Sequence, residues 1–325
     1  MNEKETAAKS FDWTALANGH PAKAFHLEDM ALAGFLDDLE AQIVQEGDVA
    51  EICRWFSRLN AIHVLYGKKE MLFMPILYRH GVTGPSQVLW DTDDEIKKNV
   101  RALAKDLSPE HYGERKEKIS ALLQSIREMI RKDESILLPL SFRFFTEEEW
   151  LMIYRDSLAM GVAFLPELPH WKEGDDWLKI KEAEERERYA DEKVCFPAGE
   201  LTLRQLKGIF SLLPLDITFI DKDDILRFFV NEGKIFERPL LALGNDVRDC
   251  HPSRILPVLD QLLEDFKTKK RTQMEVWRTI KGKPVGVKYL AVYDDAGEYI
   301  GTVEIVQDFT DAIEHFGGQD RRFGR

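Results

Sequence analysis

Several residues able to ligate a metal fall on the apolar stripes of helix-like segments, where a folded protein keeps mostly carbon. From Asp48 to about His80 the stripe Ile52, Phe56, Leu59, His63, Tyr66, Glu70, Phe73 and Leu77 carries a histidine and a glutamate two turns apart. Glu28 lies in phase between Phe25 and Leu32, and Asp93 between Leu89 and Ile96. Asp133 falls between the pair Ile126 and Ile130 and Leu137, with Glu134 next to it. Each helix thus offers a carboxylate to the interior, where it is costly unless paired or metal-bound. One acidic group per helix is what a metal site in a helix bundle requires, and imidazole with carboxylates suits iron, manganese or zinc. The competing reading is that these carboxylates sit at stripe edges and pair with Lys68, Lys69, Lys97 or Arg131. A second loaded spot is Cys250-His251-Pro252, where His251 could be an axial haem ligand or Cys250 a redox thiol. A helix-start histidine beside a buried small thiol is the favoured reading there, so haem is not expected.

The elements that must position these residues are legible in the periodicity. From about residue 20 to 165 apolar residues recur at three and four, the helical period. The first helix starts at Pro21 and runs to Glu46, and the second runs from Asp48 to about His80, with Gly81 as its stop. A third covers about Ser86 to Leu107 and a fourth about Gly113 to Leu140. A short fifth opens with the capping box Thr146 to Glu149. After Pro166 comes an irregular stretch, then KIKEAEERERYADEK, a charged linker helix without an apolar stripe. From Leu201 the pattern shifts toward alternation: DITFIDKDDILRFFV reads as two strands with a turn at Asp221–Asp224. Near the end, three antiparallel strands are joined by turns at Lys281-Gly282-Lys283 and Asp294-Asp295-Ala296-Gly297.

At 325 residues and 37.6 kDa, with 44% hydrophobic residues, the chain has material for two folded domains. The net charge of −13 argues against nucleic acid and anionic lipid as partners. No apolar run approaches a membrane span and the start lacks a secretory signal, so a cytoplasmic protein is expected, its three cysteines reduced. GxGxxG, GxxxxGK[ST], GxSxG and HExxH are all absent. Nothing else in the motifs argues for an enzyme.

The string HVLYGKKEMLFMPILYRHGVTGPSQVLWDTDDEI, with GHP at His20 and MIRKDESILLPLSF, resembles the hemerythrin-like HHE cation-binding domain of a prokaryotic domain-of-unknown-function family. In that family a PAS domain follows, and LPLDITFIDKDDILRFF, KIFERPLLALGNDVRDCHP and VEIVQDFTD look like it. The resemblance runs from His20 to Gly317 and implies an α+β chain of two domains. A four-helix bundle at 20–165 follows a tail at 1–19; a charged linker helix at 166–197 leads to a PAS domain at 198–313 and a tail at 314–325. Carried over, the positions matching the family's di-iron ligands are His20, Glu70, Asp93 and Glu134. Leu65-Tyr66 stands where such sequences read His-Tyr, with His63 displaced by two residues; Asp93 stands where a histidine is expected, and helix four has no histidine. The expectation is therefore no cofactor, or iron in a degenerate, carboxylate-rich site. His26 and His80 are expected at the surface or at helix ends rather than as ligands.

In the PAS half, the resemblance places any ligand between sheet and helices, where Phe219, Phe228, Phe229, Phe236, Trp277, Tyr289, Val292 and Val303 could line a cavity or simply form the core. Asn245 and Ile255 depart from the family pattern. The resemblance also implies a homodimer through the PAS region, around Leu201 to Leu213, and an unidentified protein partner. Three functions are compatible with it. The first is a sensory or regulatory protein coupling PAS to the bundle; the second an iron-binding protein in oxygen or nitric oxide handling or iron–sulphur repair; the third a scaffold.

Overall fold

A computed structural model of the chain describes residues 13–45, 48–188, 192–230, 235–236 and 238–317. Residues 1–12 and 318–325 of the expected tails, the break at Glu46-Gly47, residues 189–191 of the expected charged linker, and Lys234 and Glu237 of the KIFERPLL motif lie outside the described residues. The chain divides into two units, Met1–Ile180 and Lys181–Arg325.

The first unit is helical. Pro21 occupies the first turn of α1 (Pro21–Val44), where its missing N–H costs nothing, and His20 caps the helix by accepting from the Ala22 N–H. Asp48 caps the next run in the same way through Ala50. That run, expected as one helix to His80, is interrupted. It consists of α2 (Val49–Leu59), a break at Asn60, α3 (Ile62–Lys68), a π-helical turn at Lys69–Phe73 and α4 (Met74–Arg79). α5 (Gly84–Asp106) follows. α6 (Tyr112–Lys132) continues through a second π turn, Asp133–Leu137, into α7 (Leu138–Phe144). Both π turns have one cause. Pro75 and Pro139 lie six residues after Lys69 and Asp133 and offer no N–H to the ladder, and a proline ring crowds the carbonyl four residues back. The helix widens just upstream, so that Met74 N–H donates to Lys69 O and Leu138 N–H to Asp133 O. α8 (Glu147–Met160) opens with the expected Thr146–Glu149 capping box. α1 packs on α2, α3, α6 and α8, while α5 packs on α2 and α6. Leu32, Leu36, Leu39, Ile52, Phe56 and Leu59 are fully buried between them. No helix among the described residues is long and apolar enough to cross a membrane.

The division between units falls within α9 (Lys172–Arg188). Beyond it, β1 (Lys193–Phe196) and β2 (Gly199–Thr202) pair as a hairpin before α10 (Leu203–Leu212). A five-stranded antiparallel sheet is built from β3 (Asp216–Asp221), β4 (Leu226–Phe229), β5 (Gln273–Ile280), β6 (Lys283–Tyr293) and β7 (Tyr299–Asp308) in the order β4-β3-β7-β6-β5. The β5–β6 turn places Lys281 at φ +50° and Gly282 at +80°, the left-handed pair that a tight hairpin needs. α11 (Leu256–Lys267) covers one sheet face: Leu259 and Leu263 close on Ile220, Leu226 and Phe229. α12 (Thr310–Gly317) follows β7.

Candidate functional site

The carboxylates on the helical stripes are buried or part-buried, and each is met by a base. Glu28 on α1 takes Lys68 Nζ at 2.8 and 2.9 Å and also accepts from Ala163 N–H at 2.7 Å. This pair forms the floor of a cleft lined by Phe25, Phe73, Tyr154, Leu158 and Pro169. Burial and then Lys68 act on Glu28 in opposite directions, and burial wins, raising its carboxyl above the usual range. Glu70 takes Lys97 at 2.5 Å, and Glu134 takes His26 Nδ1 at 2.6 Å, the His26 ring lying flat against Trp13 at 4.1 Å. His26, expected at the surface or a helix end, is therefore a part-buried partner, while His80 does sit at a helix end, paired with Glu149 at 3.0 Å. His20 packs among Phe142, Trp150 and Trp171, with its Nδ1 spent on the helix cap. Burial pushes the His20 imidazole down to about 4. His63 is also held at about 4, by burial first and then by Arg101 and Lys97.

The deepest group lies where the two π turns begin. Lys69 Nζ is 2.7 Å from Asp93 Oδ1 and 2.8 and 2.9 Å from the two Asp133 oxygens; all three side chains have 0% exposure. The ammonium also stands 4.5 Å over the Tyr66 ring. Burial works against the Lys69 charge, but Asp133 and Asp93 override it and hold the ammonium above the usual lysine range. Asp29 on α1 is fully buried, and neither of its carboxylate oxygens has a hydrogen-bond partner. Burial and then Asp133 push its carboxyl well above the usual range. One ammonium balances one carboxylate charge at this depth, and burial raises the carboxyls of Asp29, Asp93 and Asp133 alike, Asp29 without a hydrogen-bond partner.

The seven metal candidates, His20, Glu28, His63, Glu70, Asp93, Asp133 and Glu134, are thus dispersed, only Asp93 and Asp133 sharing a partner. Among the described residues no group of three or more His, Cys, Asp or Glu side chains is arranged to hold a metal ion. The donor set does not fit a hemerythrin-type di-iron centre, because an ammonium stands between the two carboxylates that meet and His20 is engaged in the helix cap. Asp29 is absent from the sequence-derived set, and Lys69 enters it only as a pairing base, because a lysine on a helix normally carries its charge to solvent. The signal for Lys69 was the matched spacing in KEMLFMP and DESILLP, which places both π turns.

In the second unit the PAS candidates on the strands separate onto two faces of the sheet, Phe229 and Tyr289 on the covered one and Phe219 and Trp277 on the other. Phe229 and Cys250 belong to the cluster under α11, while Phe236 and Tyr289 pack with Val285, Val287 and Val306. Within this interior, Arg238 reaches Glu304 at 2.8 Å and lies 5.6 Å from the Phe236 ring centre. Trp277 does not line the interior: it is 61% exposed and packs on Phe309, because its register partner Gly286 belongs to the face opposite Val287. Phe219 likewise alternates away from Ile220 and lies against Gly301. Burial pushes the Cys250 thiol up to about 12, which leaves it a poor nucleophile. His251 Nδ1 is engaged by Val247 O at 2.8 Å, closing a short turn.

Residues 206–310 match the family model for the PAS domain. Among solved structures, the C-terminal domain of a protein from Streptococcus mutans is 32% identical; the match covers 38% of this chain and 97% of that one, with a TM-score of 0.37. The PAS domain of BvgS from Bordetella pertussis is 17% identical, covering 35% and 91% with a TM-score of 0.28. A sensory box sensor histidine kinase from Vibrio cholerae is 10% identical, covering 41% and 98% with a TM-score of 0.25. No curated protein matches the chain. With the antiparallel order β4-β3-β7-β6-β5 and α11 across one face, residues 206–310 are a PAS domain.

Proposed function

We propose that the chain is a sensory or regulatory protein in which the PAS domain receives a signal and a hemerythrin-like four-helix bundle, its metal site degenerate, is the element that responds. The PAS match at residues 206–310 carries this reading. The Arg238–Glu304 pair among Phe236 and Tyr289 supports it, since small-molecule sites place a few polar groups in an apolar frame. The lysine partners of Glu28, Glu70, Asp93 and Asp133 support the degenerate bundle. Exposed Ile209 and Leu212 on α10 support self-association through the PAS region. The test is hydrogen exchange on the full chain, wild type against Glu304→Gln. Coupling requires altered exchange in peptides from 21–160 as well as in the PAS domain, and a change confined to 206–310 would contradict it.

A second reading, an iron-binding protein of the hemerythrin class acting in oxygen or nitric oxide handling or iron–sulphur repair, draws on the buried carboxylates Asp29, Asp93 and Asp133. Metal content separates the two.

A further inference from the structure

We infer that Lys69 is the resident cation of the helical unit: its ammonium takes the place of a metal ion between Asp93 and Asp133, and its removal opens the centre to a hard divalent cation. The inference deepens the degenerate-site reading and rests on it.

The ammonium meets its carboxylates at 2.7 to 2.9 Å, with three oxygens from two helices around one nitrogen. A divalent ion bound by oxygen ligands would lie at about 2.0–2.6 Å from them, so it and the ammonium demand the same point in space. Two further buried groups of the helical unit are left without partners. Asp29 has both oxygens without a hydrogen bond, and the fully buried Tyr66 hydroxyl, on the ring beneath the ammonium, has none. Asp133 and Lys69 are the charged groups that act most strongly on Asp29. Such leftover oxygens are what remains when a monovalent group replaces an ion of higher charge and coordination number. The two π turns start at Lys69 and Asp133, so both helices widen where these side chains meet, as π turns do at functional positions. With only oxygen donors at the centre, the ion it favours is hard, manganese or magnesium rather than zinc.

The test uses full-length wild type and Lys69→Ala, each dialysed against manganese and passed through gel filtration. Bound manganese is read by mass spectrometry, and thermal unfolding is followed with and without the ion. Wild type is expected to retain none and to unfold at an unmoved temperature, while the variant retains about one manganese per chain and is stabilised by it. Stoichiometric manganese on wild type, or a folded variant that takes none, overturns the inference. Should Lys69→Ala fold only in manganese-supplemented cells, that rescue supports it. Should it fold in neither, Lys69→Met is compared with Lys69→Met/Asp133→Asn. Relief of at least about tenfold in the unfolding constant is expected if the ammonium is the counter-charge, and no relief overturns it. Iron on untreated wild type would instead remove the degenerate-site reading itself, so the two failures are distinguishable.

Discussion

Asp29 sets how the buried centre responds to pH. An unfolded aspartate ionises near pH 4, whereas in the fold burial, Asp133, Glu134 and Glu28 keep Asp29 protonated to a much higher pH against the opposing pull of Lys69. Between those two values the unfolded chain binds fewer protons than the folded one. Stability from this group is therefore complete below about pH 4 and falls as pH rises, by about 1.4 kcal/mol per unit, until the folded carboxyl ionises. Asp29→Asn keeps the shape without the titration. The variant should match wild type near pH 4 and gain on it as pH rises from there, as read by urea unfolding. A variant equally destabilised at every pH would show that Asp29 is ionised in the fold. The burial of Glu28, Asp93 and Asp133 was legible from helical phase alone. Lys68, Lys69 and Lys97 were named as pairing bases too, but which base meets which carboxylate was not legible, because phase says that a carboxylate points inward and not what arrives from another helix; Lys69 comes from α3's end and Asp133 from α6's.

Among the elements, alternation and turn chemistry were enough to place the strands: Asp216, Thr218 and Ile220 face the interior of β3, and Lys281-Gly282 makes the hairpin. The close approach at Gly301 was not legible, since it depends on β7 crossing β3. An added Cβ there would lie 2.4 Å from Ile220 O and 2.6 Å from the Phe219 ring. Gly301→Ala should cost about 1–3 kcal/mol and lower the unfolding temperature of the PAS domain, measured by calorimetry on the full chain. An unchanged transition would mean that β3 and β7 are not in this register. The helical run expected as unbroken from Asp48 to His80 departs from expectation for a physical reason. A π turn inserts one residue into the ladder without changing the apolar content, so the 3.6-residue stripe barely registers it.

At the scale of the whole chain, two units of different construction meet one constraint: polar groups taken out of water must be paired. The PAS domain meets it with Arg238 and Glu304, and the helical unit with Lys68, Lys69 and Lys97 against Glu28, Asp93, Asp133 and Glu70. The order of helices followed by an antiparallel sheet was readable from periodicity, and the PAS reading of that sheet from the resemblance of its motifs. The content of the helical centre was not, because a lysine and a metal satisfy the same carboxylates. The most direct measurement is the metal content of the untreated full-length protein, purified anaerobically without chelator, with its absorption spectrum from about 300 to 450 nm. A centre closed by Lys69 predicts well below about 0.1 metal per chain and no oxo-to-iron charge-transfer band. About two irons per chain with that band would contradict it.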